Sequence, residues 1–225
     1  MRYAVLGTGS VGRTIAARLD ELGHVVTIGT RDPASTLART EPDQMGNAAF
    51  ATWATAYPGI SVATFADAAA SADIVVNATS GDASLAVLGL AGADALAGKV
   101  LLDIANPLDF SAGMPPTLFV KDSDSLGEQI QRAFPEAKVV KSLNTLTAEL
   151  MVRPAGLPEG SSVFVSGDDG EAKAVVTELL TEFGHEDVID LGDITTARGT
   201  EMLLPVWLRL WGALGTPMFN FRIVR

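Results

Sequence analysis

A glycine-rich turn between an apolar strand and an amphipathic helix constrains this chain more than any other feature. The turn is GTGSVG at residues 7–12, and it directly follows the apolar residues 3–6. A G-x-G-x-x-G turn in this setting is typical of a dinucleotide-binding βαβ unit. We expect Gly7 to permit the tight turn, Gly9 to let the backbone approach a diphosphate, and Gly12 to bring the helix close to the sheet.

The residues after the second predicted strand, 25–29, indicate which dinucleotide binds. NAD-binding versions carry an acid here that hydrogen-bonds the ribose 2′-OH, whereas this chain has Thr30 and Arg31. A hydroxyl beside a guanidinium suits a 2′-phosphate, because the planar guanidinium matches phosphate oxygens. Asp32 is followed by Pro33, so we interpret it as a helix N-cap. We therefore predict NADP(H) as the cofactor; the alternative leaves Arg31 as a solvated surface residue.

The composition excludes several classes of protein. The 225-residue chain has 16 lysines and arginines against 27 aspartates and glutamates, so its formal net charge is −11. Such an acidic chain repels nucleic acid and anionic membranes. The absence of cysteine rules out a disulfide framework, a thiolate metal site and a cysteine nucleophile. Because the first predicted strand follows Met1 so closely that no targeting segment fits, we expect a cytoplasmic protein without nucleic-acid or membrane partners.

Predicted strands and helices alternate along the chain, which indicates an α/β fold: a Rossmann-type, doubly wound, mainly parallel sheet. We place a boundary near Leu150, which gives an NADP-binding domain of residues 1–150 and a small C-terminal α/β extension of residues 151–225. The extension is expected to end in a long apolar helix from about residue 194. The predicted strands are residues 3–6, 25–29, 61–65, 74–77, 100–104, 138–141, 163–166 and 188–191.

The apolar segment 202–221 has about the length of a membrane span. Arg209, Pro205 and Pro217 interrupt it and disfavour that interpretation. A helix that is apolar on all sides is usually buried in protein, so we expect core, an intersubunit contact or the wall of an apolar ligand site. The side chains that would supply such a surface are Trp207, Trp211, Met218 and Phe219.

Small and polar residues follow five of the predicted strands. Because the carboxyl ends of parallel strands share one edge of the sheet, we expect these residues to line a ligand crevice. The segment after the fourth strand should pass near the adenosine-side ribose and phosphates, and the segments after the fifth and sixth strands should hold the nicotinamide. The candidate cofactor-binding residues are Gly7, Thr8, Gly9, Ser10, Gly12, Thr30, Arg31, Asn77, Ala78, Thr79, Ser80, Ala105, Asn106, Pro107, Asn144 and Thr145, of which Asn106, Pro107, Asn144 and Thr145 lie nearest the nicotinamide.

No proton-transfer or nucleophilic set accompanies this crevice. His24 and His185 each follow a helix-ending glycine and precede a strand, so we expect them near the opposite edge, as capping or surface residues. Lys141 ends the sixth strand, either reaching inward or serving as a strand flank or surface charge. Alcohol oxidation needs a proton acceptor, whereas hydride exchange between two flat rings depends on positioning. We therefore predict no catalytic side chain and no metal.

Five segments of the chain, taken in order, resemble the NADPH:coenzyme F420 oxidoreductases and the related NADPH-binding domains of membrane ferric reductases. They are GTGSVG, IGTR, DIANPL, VVKSLNT and DLGDITTARGTE, and together they span nearly the whole chain. The resemblance implies a Rossmann fold with a small C-terminal addition and a homodimer. It also implies hydride transfer between NADPH and a deazaflavin stacked on the nicotinamide, with coenzyme F420 or a related flavin as the small-molecule redox substrate.

The resemblance further implies roles for individual residues. It places the diphosphate against the glycine turn and the 2′-phosphate at the end of the second strand. The residues it assigns are Thr8, Ser10 and Val11 to the diphosphate, Thr30 and Arg31 to the 2′-phosphate, and Asn77, Ala78, Thr79, Ser80, Asn106, Pro107, Asn144 and Thr145 to the remaining cofactor path.

Three details qualify the resemblance. Arg198 and Glu201 match a recurring pair in the last helix of the family, which we interpret as an i, i+3 ion pair with a structural role. Archaeal members carry a further basic residue shortly after the Thr/Ser–Arg pair, whereas Ala34 and Ser35 stand here. Residues 203–219 also differ from the C-terminal ends of archaeal members, so we expect the site for the second substrate to differ too.

Two other functions remain as alternatives. An imine or β-hydroxyacid reductase shares the glycine turn, but those families follow it with a substantial all-helical domain. Residues 151–225 have an α/β pattern instead. A non-enzymatic NADP(H)-sensing protein would also lack acid–base residues.

Overall fold

The computed structural model describes residues 1–43 and 46–225. The strands in these ranges are β1 (Arg2–Leu6), β2 (Val25–Thr30), β3 (Ser61–Thr64), β4 (Ile74–Asn77), β5 (Val100–Asp103), β6 (Leu108–Asp109), β7 (Thr117–Leu118), β8 (Lys138–Ser142), β9 (Ser162–Ser166) and β10 (Asp187–Gly192). Eight of them form one sheet in the order β10-β9-β8-β5-β4-β1-β2-β3, and β6 pairs with β7 in a separate hairpin. The strands from β3 to β8 in this order are parallel, whereas β9 pairs antiparallel with β8.

Helices cover both faces of the sheet. Val5 of β1 packs in one apolar cluster with Leu19 and Leu180, whereas its neighbours Ala4 and Leu6 pack in the other. This alternation is what a strand buried on both faces requires. The helices in the described ranges are α1 (Ser10–Glu21), α2 (Pro33–Leu37), α3 (Phe50–Ala56), α4 (Phe65–Ser71), α5 (Gly81–Ala91), α6 (Ala93–Leu96), α7 (Leu126–Ala133), α8 (Ala148–Val152), α9 (Gly170–Phe183), α10 (Ala197–Met202) and α11 (Leu204–Leu214).

The predicted doubly wound, mainly parallel α/β fold is confirmed. From β1 the chain proceeds to β2 and β3 on one side and returns to β4 and β5 on the other. The strand order therefore reverses between β1 and β4, and a crevice opens at the carboxyl ends of strands where such a reversal occurs. The predicted helix N-cap at Asp32 is also confirmed. Asp32 accepts a 3.0 Å hydrogen bond from the backbone N–H of Ser35, and Pro33 lies in the first turn of α2.

The end of the chain differs from the prediction of one long apolar helix. The segment instead forms α10 and α11, with Leu203 between them and Pro205 in the first turn of α11. Proline lacks an N–H donor, so it starts a new helix more readily than it continues one. Gly215, with a φ of +69°, then ends α11. Among the described residues, no helix is both long and apolar enough to span a membrane.

The predicted edge for His185 was wrong, whereas the predicted cap is present, because its backbone N–H donates to the carbonyl oxygen of Leu180 at 2.9 Å at the end of α9. Because β9 pairs antiparallel with β8 and β10 runs parallel to β9, the residue before β10 does not lie at the amino edge of the main parallel strands. His185 is also buried rather than at the surface, and its Nε2 pairs with the carbonyl oxygen of Met151 at 2.9 Å. Burial lowers its pKa, which favours the neutral ring. His24 is partly buried and pairs with Glu182 at 3.0 Å.

Candidate functional site

The glycine turn is packed against its neighbours at two positions and open at the third. A Cβ on Gly7, whose φ is +127°, would lie 2.5 Å from the carbonyl oxygen of Ala78, and one on Gly12 would lie 2.2 Å from the carbonyl oxygen of Gly7. At Gly9 no atom of the described residues lies within 4 Å of the added Cβ. Gly9 is also the N-cap of α1 and supplies no side-chain acceptor. The first N–H groups of the helix therefore lack a side-chain cap beside open space, which suits an anion.

Two arginines in different environments lie near the end of β2: Arg31 follows the strand directly, and Arg39 follows α2. Thr30 is buried, and its hydroxyl shares a 2.8 Å hydrogen bond with that of Thr36. Arg31 is exposed and makes no hydrogen bond or ion pair within the described ranges. Arg39, which sequence reasoning missed, donates from Nη2 to the hydroxyls of Thr8 at 3.0 Å and Thr36 at 2.9 Å. The turn after α2 returns the chain to the glycine turn at position 39, beyond positions 34 and 35.

A cavity of about 1130 Å³ lies at the carboxyl ends of the central strands, and a second one of about 530 Å³ adjoins the glycine turn. Thr8 and Gly9 line the smaller cavity. The sequence-predicted residues that line neither of the two are Gly7, Ser10, Gly12, Thr30, Arg31, Asn77, Pro107 and Thr145. The sequence-predicted residues that line the larger cavity are Val11, Ala78, Thr79, Ser80, Ala105, Asn106 and Asn144.

Asn77 lies beneath the cavity, where it organises its neighbours. It is fully buried. Its Nδ2 donates to Ser84 Oγ at 3.0 Å and Asp103 Oδ1 at 2.8 Å, and its Oδ1 accepts from Thr79 Oγ1 at 2.7 Å. These bonds fix Thr79, which does line the cavity, so the amide of Asn77 acts on the site indirectly.

A reciprocal amide pair joins the segments after β5 and β8. Asn106 Nδ2 donates to the carbonyl oxygen of Asn144 at 2.9 Å, and Asn144 Nδ2 donates to Asn106 Oδ1 at 3.0 Å and to the carbonyl oxygen of Thr200 at 3.1 Å. Leu143 precedes this pair with a φ of +60°. The left-handed conformation is uncommon for a residue of this size, and such residues cluster at ligand sites. The strained turn directs Asn144 back toward Asn106.

A buried ion network lies behind the amide pair. Lys141, fully buried, makes ion pairs with Asp103 at 2.8 Å and Glu201 at 2.9 Å and also donates to the carbonyl oxygen of Ala105. Burial by itself lowers the pKa of Lys141, but the two carboxylates outweigh that effect, so the pKa is raised. Lys141 therefore reaches inward, and its contacts fix the backbone just before Asn106.

The predicted i, i+3 ion pair between Arg198 and Glu201 was wrong. Glu201 accepts instead from the backbone N–H groups of Leu126 at 2.8 Å and Gly127 at 3.0 Å, at the start of α7. Arg198 pairs with Glu128, with 2.8 Å between Nε and Oε2. The local pair does not form because α10 packs against the N-terminus of α7. The backbone N–H groups there have no partner within their own helix and attract the carboxylate of Glu201. The structural role stands, but the partners differ.

Aromatic and apolar side chains enclose the far side of the larger cavity. Trp207 and Trp211 of α11 line it, and the β6–β7 hairpin contributes Phe110 and Met114. Phe219 stacks on Trp207 with 5.3 Å between ring centroids. The hairpin lies in the segment between β5 and α7. The cavity therefore has a polar floor of strand ends and an apolar wall.

Comparison with known proteins identifies the family. A family described as NADP oxidoreductase, coenzyme F420-dependent, matches residues 2–107. A solved structure from Arthrobacter sp. FB24, provisionally named an F420-dependent NADP-reductase, is 64% identical over 100% of both chains, with a TM-score of 0.95. The chain belongs to the coenzyme F420-dependent NADP oxidoreductase family. The predicted resemblance to this family is confirmed.

Other similar proteins are more distant. The F420-dependent NADP reductase of Methanothermobacter marburgensis is 26% identical over 221 residues, which cover 93% of this chain and 92% of that protein. The metalloreductase STEAP3 of Rattus norvegicus is 29% identical over 212 residues, and the matched part covers 92% of this chain but 38% of STEAP3. An imine reductase from Aspergillus terreus has a TM-score of 0.62 at 16% identity, covering 95% of this chain and 62% of its own. At that identity the likeness supports the fold alone.

Proposed function

We propose that this protein is an NADP-dependent oxidoreductase that transfers a hydride between NADPH and coenzyme F420 or a related flavin. The observation that carries the proposal is a dinucleotide-type glycine turn beside a large cavity whose described lining includes no histidine, cysteine, tyrosine or lysine. Among the described lining residues the carboxyl groups are those of Asp82 and Asp109. Hydrogen bonds from Ser111 lower the pKa of Asp109, which keeps it ionised at neutral pH. Full-length similarity to named F420-dependent NADP reductases supports the same activity.

The residues of the turn fit a dinucleotide diphosphate. Open space at Gly9 and the uncapped N-terminus of α1 favour an anion there. We propose that Thr8, Ser10 and Val11 contact the diphosphate and that Arg31 contacts the 2′-phosphate, with the hydroxyl of Thr30 on the same side. The remaining cofactor path would be lined by Ala78, Thr79, Ser80, Ala105, Asn106 and Asn144, with Asn77, Pro107 and Thr145 supporting them.

Positioning is the main contribution of the protein to the reaction. When bound, NADPH supplies the hydride, and the acceptor ring receives it without a covalent bond to the protein. The Asn106–Asn144 amide pair would orient the nicotinamide, because its segments adjoin the cavity and are fixed by Lys141 and Thr200. Trp207 and Trp211 would exclude water from the wall opposite. Holding two flat rings in contact provides much of the rate enhancement in such a reaction.

We further propose a cytoplasmic homodimer in which residues 151–225 carry the dimer contact and the acceptor region. Exposed apolar side chains near the C-terminus support this assembly, because a dimer interface would remove their apolar surface from water. They are Val206, Leu214, Ile223 and Val224. Sedimentation at several protein concentrations tests it: a dimer mass is expected, and a monomer at all concentrations would contradict it.

The activity test is direct. Purified protein is mixed with NADPH and F420, and in parallel with NADPH and FMN, and the absorbance of the oxidised acceptor is followed. The expected result is protein-dependent loss of that absorbance with at least one acceptor. NADPH binding without oxidation by either acceptor would favour the sensor alternative. Absence of NADPH binding would contradict the proposal as a whole.

A further inference from the structure

We propose that Arg39 is a second residue, beside Arg31, that recognises the 2′-phosphate of NADP(H) and sets its preference over NAD(H). This inference rests on the proposed function and deepens it. It concerns a residue that lies outside the glycine turn and outside the Thr30–Arg31 pair.

Arg39 is held in place by three kinds of contact. Its Nη2 donates to the hydroxyls of Thr8 and Thr36 at 3.0 and 2.9 Å. Its guanidinium carbon lies 5.4 Å from the ring centroid of Phe50, within cation–π range. Its backbone carbonyl accepts from the N–H of Ala51 at 3.0 Å. A side chain positioned before the ligand arrives loses less conformational entropy on binding than a free one such as Arg31.

The charge of Arg39 is available to an anion. Within the described ranges it makes no ion pair, and its Nε and Nη1 N–H groups have no protein acceptor. Arg13, the other arginine that lines the cavity of about 530 Å³, is engaged by Asp43 at 2.9 Å and by the carbonyl oxygen of Ala48 at 2.6 Å. Glu41 lines the same cavity but makes no ion pair with Arg39. Arg39 is thus the lining cation without a carboxylate partner among the described residues.

The location fits the ribose 2′ position. In this class of fold that position lies at the end of the second strand, close to the glycine turn. The hydroxyls that hold Arg39 belong to the same two places, because Thr8 is in the turn and Thr36 bonds Thr30 at the end of β2. Arg39 therefore brings a positive charge close to both the glycine turn and the end of β2.

The test measures dissociation constants of NADPH and NADH for the full chain and three variants, by titration calorimetry without any acceptor. Arg39→Ala removes the charge, and Thr36→Val removes one anchor at nearly constant shape. Arg2→Ala is the control, since it removes an exposed arginine paired with Asp73 at the opposite, amino edge of the parallel strands. Unfolding midpoints of all variants are measured in parallel.

Arg39→Ala is expected to weaken NADPH binding about tenfold or more, equivalent to about 1.4 kcal/mol, and NADH binding by less than about twofold. Thr36→Val should give a smaller loss in the same direction, and Arg2→Ala none. Equal losses for both cofactors would overturn the proposal, because Arg39 would then merely support the turn through Thr8. Unchanged affinity of Arg39→Ala for NADPH would overturn it as well. A wild-type protein without NADPH preference would instead refute the proposed NADP specificity itself.

Discussion

The two ends of the crevice use charge in opposite ways. At the end of β2, Arg31 is exposed and Arg39 is held by neutral hydroxyls, so neither cation has a carboxylate partner in the described ranges. At the end of β8, Lys141 is sealed between Asp103 and Glu201. The first arrangement leaves positive charge for a ligand. In the second, the charge of Lys141 is neutralised by carboxylates of the protein, which joins β8 to β5 and α10.

The difference has an energetic consequence. Removing one member of a buried ion pair leaves an uncompensated charge, which costs far more than loss of an exposed pair. We therefore expect changes at the β8 end to reduce stability and changes at the β2 end to reduce cofactor affinity. The following variants separate the two effects.

Glu201→Ala should have the largest effect on folding. It leaves Lys141 with one carboxylate and frees two N–H groups at the start of α7, so we expect a loss of about 3–5 kcal/mol in the free energy of unfolding. Urea denaturation measures it. The matched control is Glu149→Ala, which removes a half-exposed partner of Arg153 at 3.8 Å and should cost no more than about 1 kcal/mol. Equal losses in the two variants would contradict the structural role of the network.

Arg31→Ala should act on binding rather than on folding. Loss of a charge-assisted contact to a phosphate corresponds to about 1.5–3 kcal/mol, so NADPH affinity should fall while NADH affinity and the unfolding midpoint stay nearly constant. Fluorescence titration with both cofactors gives the comparison. If NADPH and NADH weaken alike, Arg31 does not distinguish them.

Gly12→Ala and Gly9→Ala separate an effect on stability from an effect on cofactor binding within the glycine turn. The new Cβ at Gly12 would lie 2.2 Å from the carbonyl oxygen of Gly7, and such overpacking costs about 1–3 kcal/mol of stability. The new Cβ at Gly9 meets open space, so thermal unfolding of the free protein should be unchanged while NADPH binding weakens. Destabilisation by both substitutions would show that Gly9 is structural too.

Arg198→Ala should have the smallest effect. Its partner Glu128 keeps a 2.8 Å hydrogen bond from the hydroxyl of Ser125, and the Arg198 side chain is one-third exposed. We expect a shift in the unfolding midpoint clearly smaller than that of Glu201→Ala, with cofactor affinity unchanged. A loss as large as that of Glu201→Ala would mean that Arg198 belongs to the buried network.

Sequence reasoning succeeded where the signal is local. The glycine turn, the Asp32 cap and the strand at residues 74–77 each depend on neighbouring residues, and the structure has all three. It failed where partners are distant in sequence. Lys141 and Glu201 meet because α10 packs on α7, and nothing in the spacing of Arg198 and Glu201 indicates that each has another partner. The antiparallel direction of β9 is also invisible in its apolar pattern, which is the same for either direction.

The decisive measurement follows the hydride itself. NADPH deuterated at C4 of the nicotinamide, on each face separately, is mixed with the protein and F420 in a single turnover, and the reduced F420 is analysed by mass spectrometry. Because the proposed reaction passes the hydride directly from the nicotinamide ring to the acceptor ring, deuterium from one face should appear in the reduced F420, with an isotope effect on its rate. Deuterium found in the solvent for both faces would contradict ring-to-ring hydride transfer, and no reduction of F420 would contradict F420 as the acceptor.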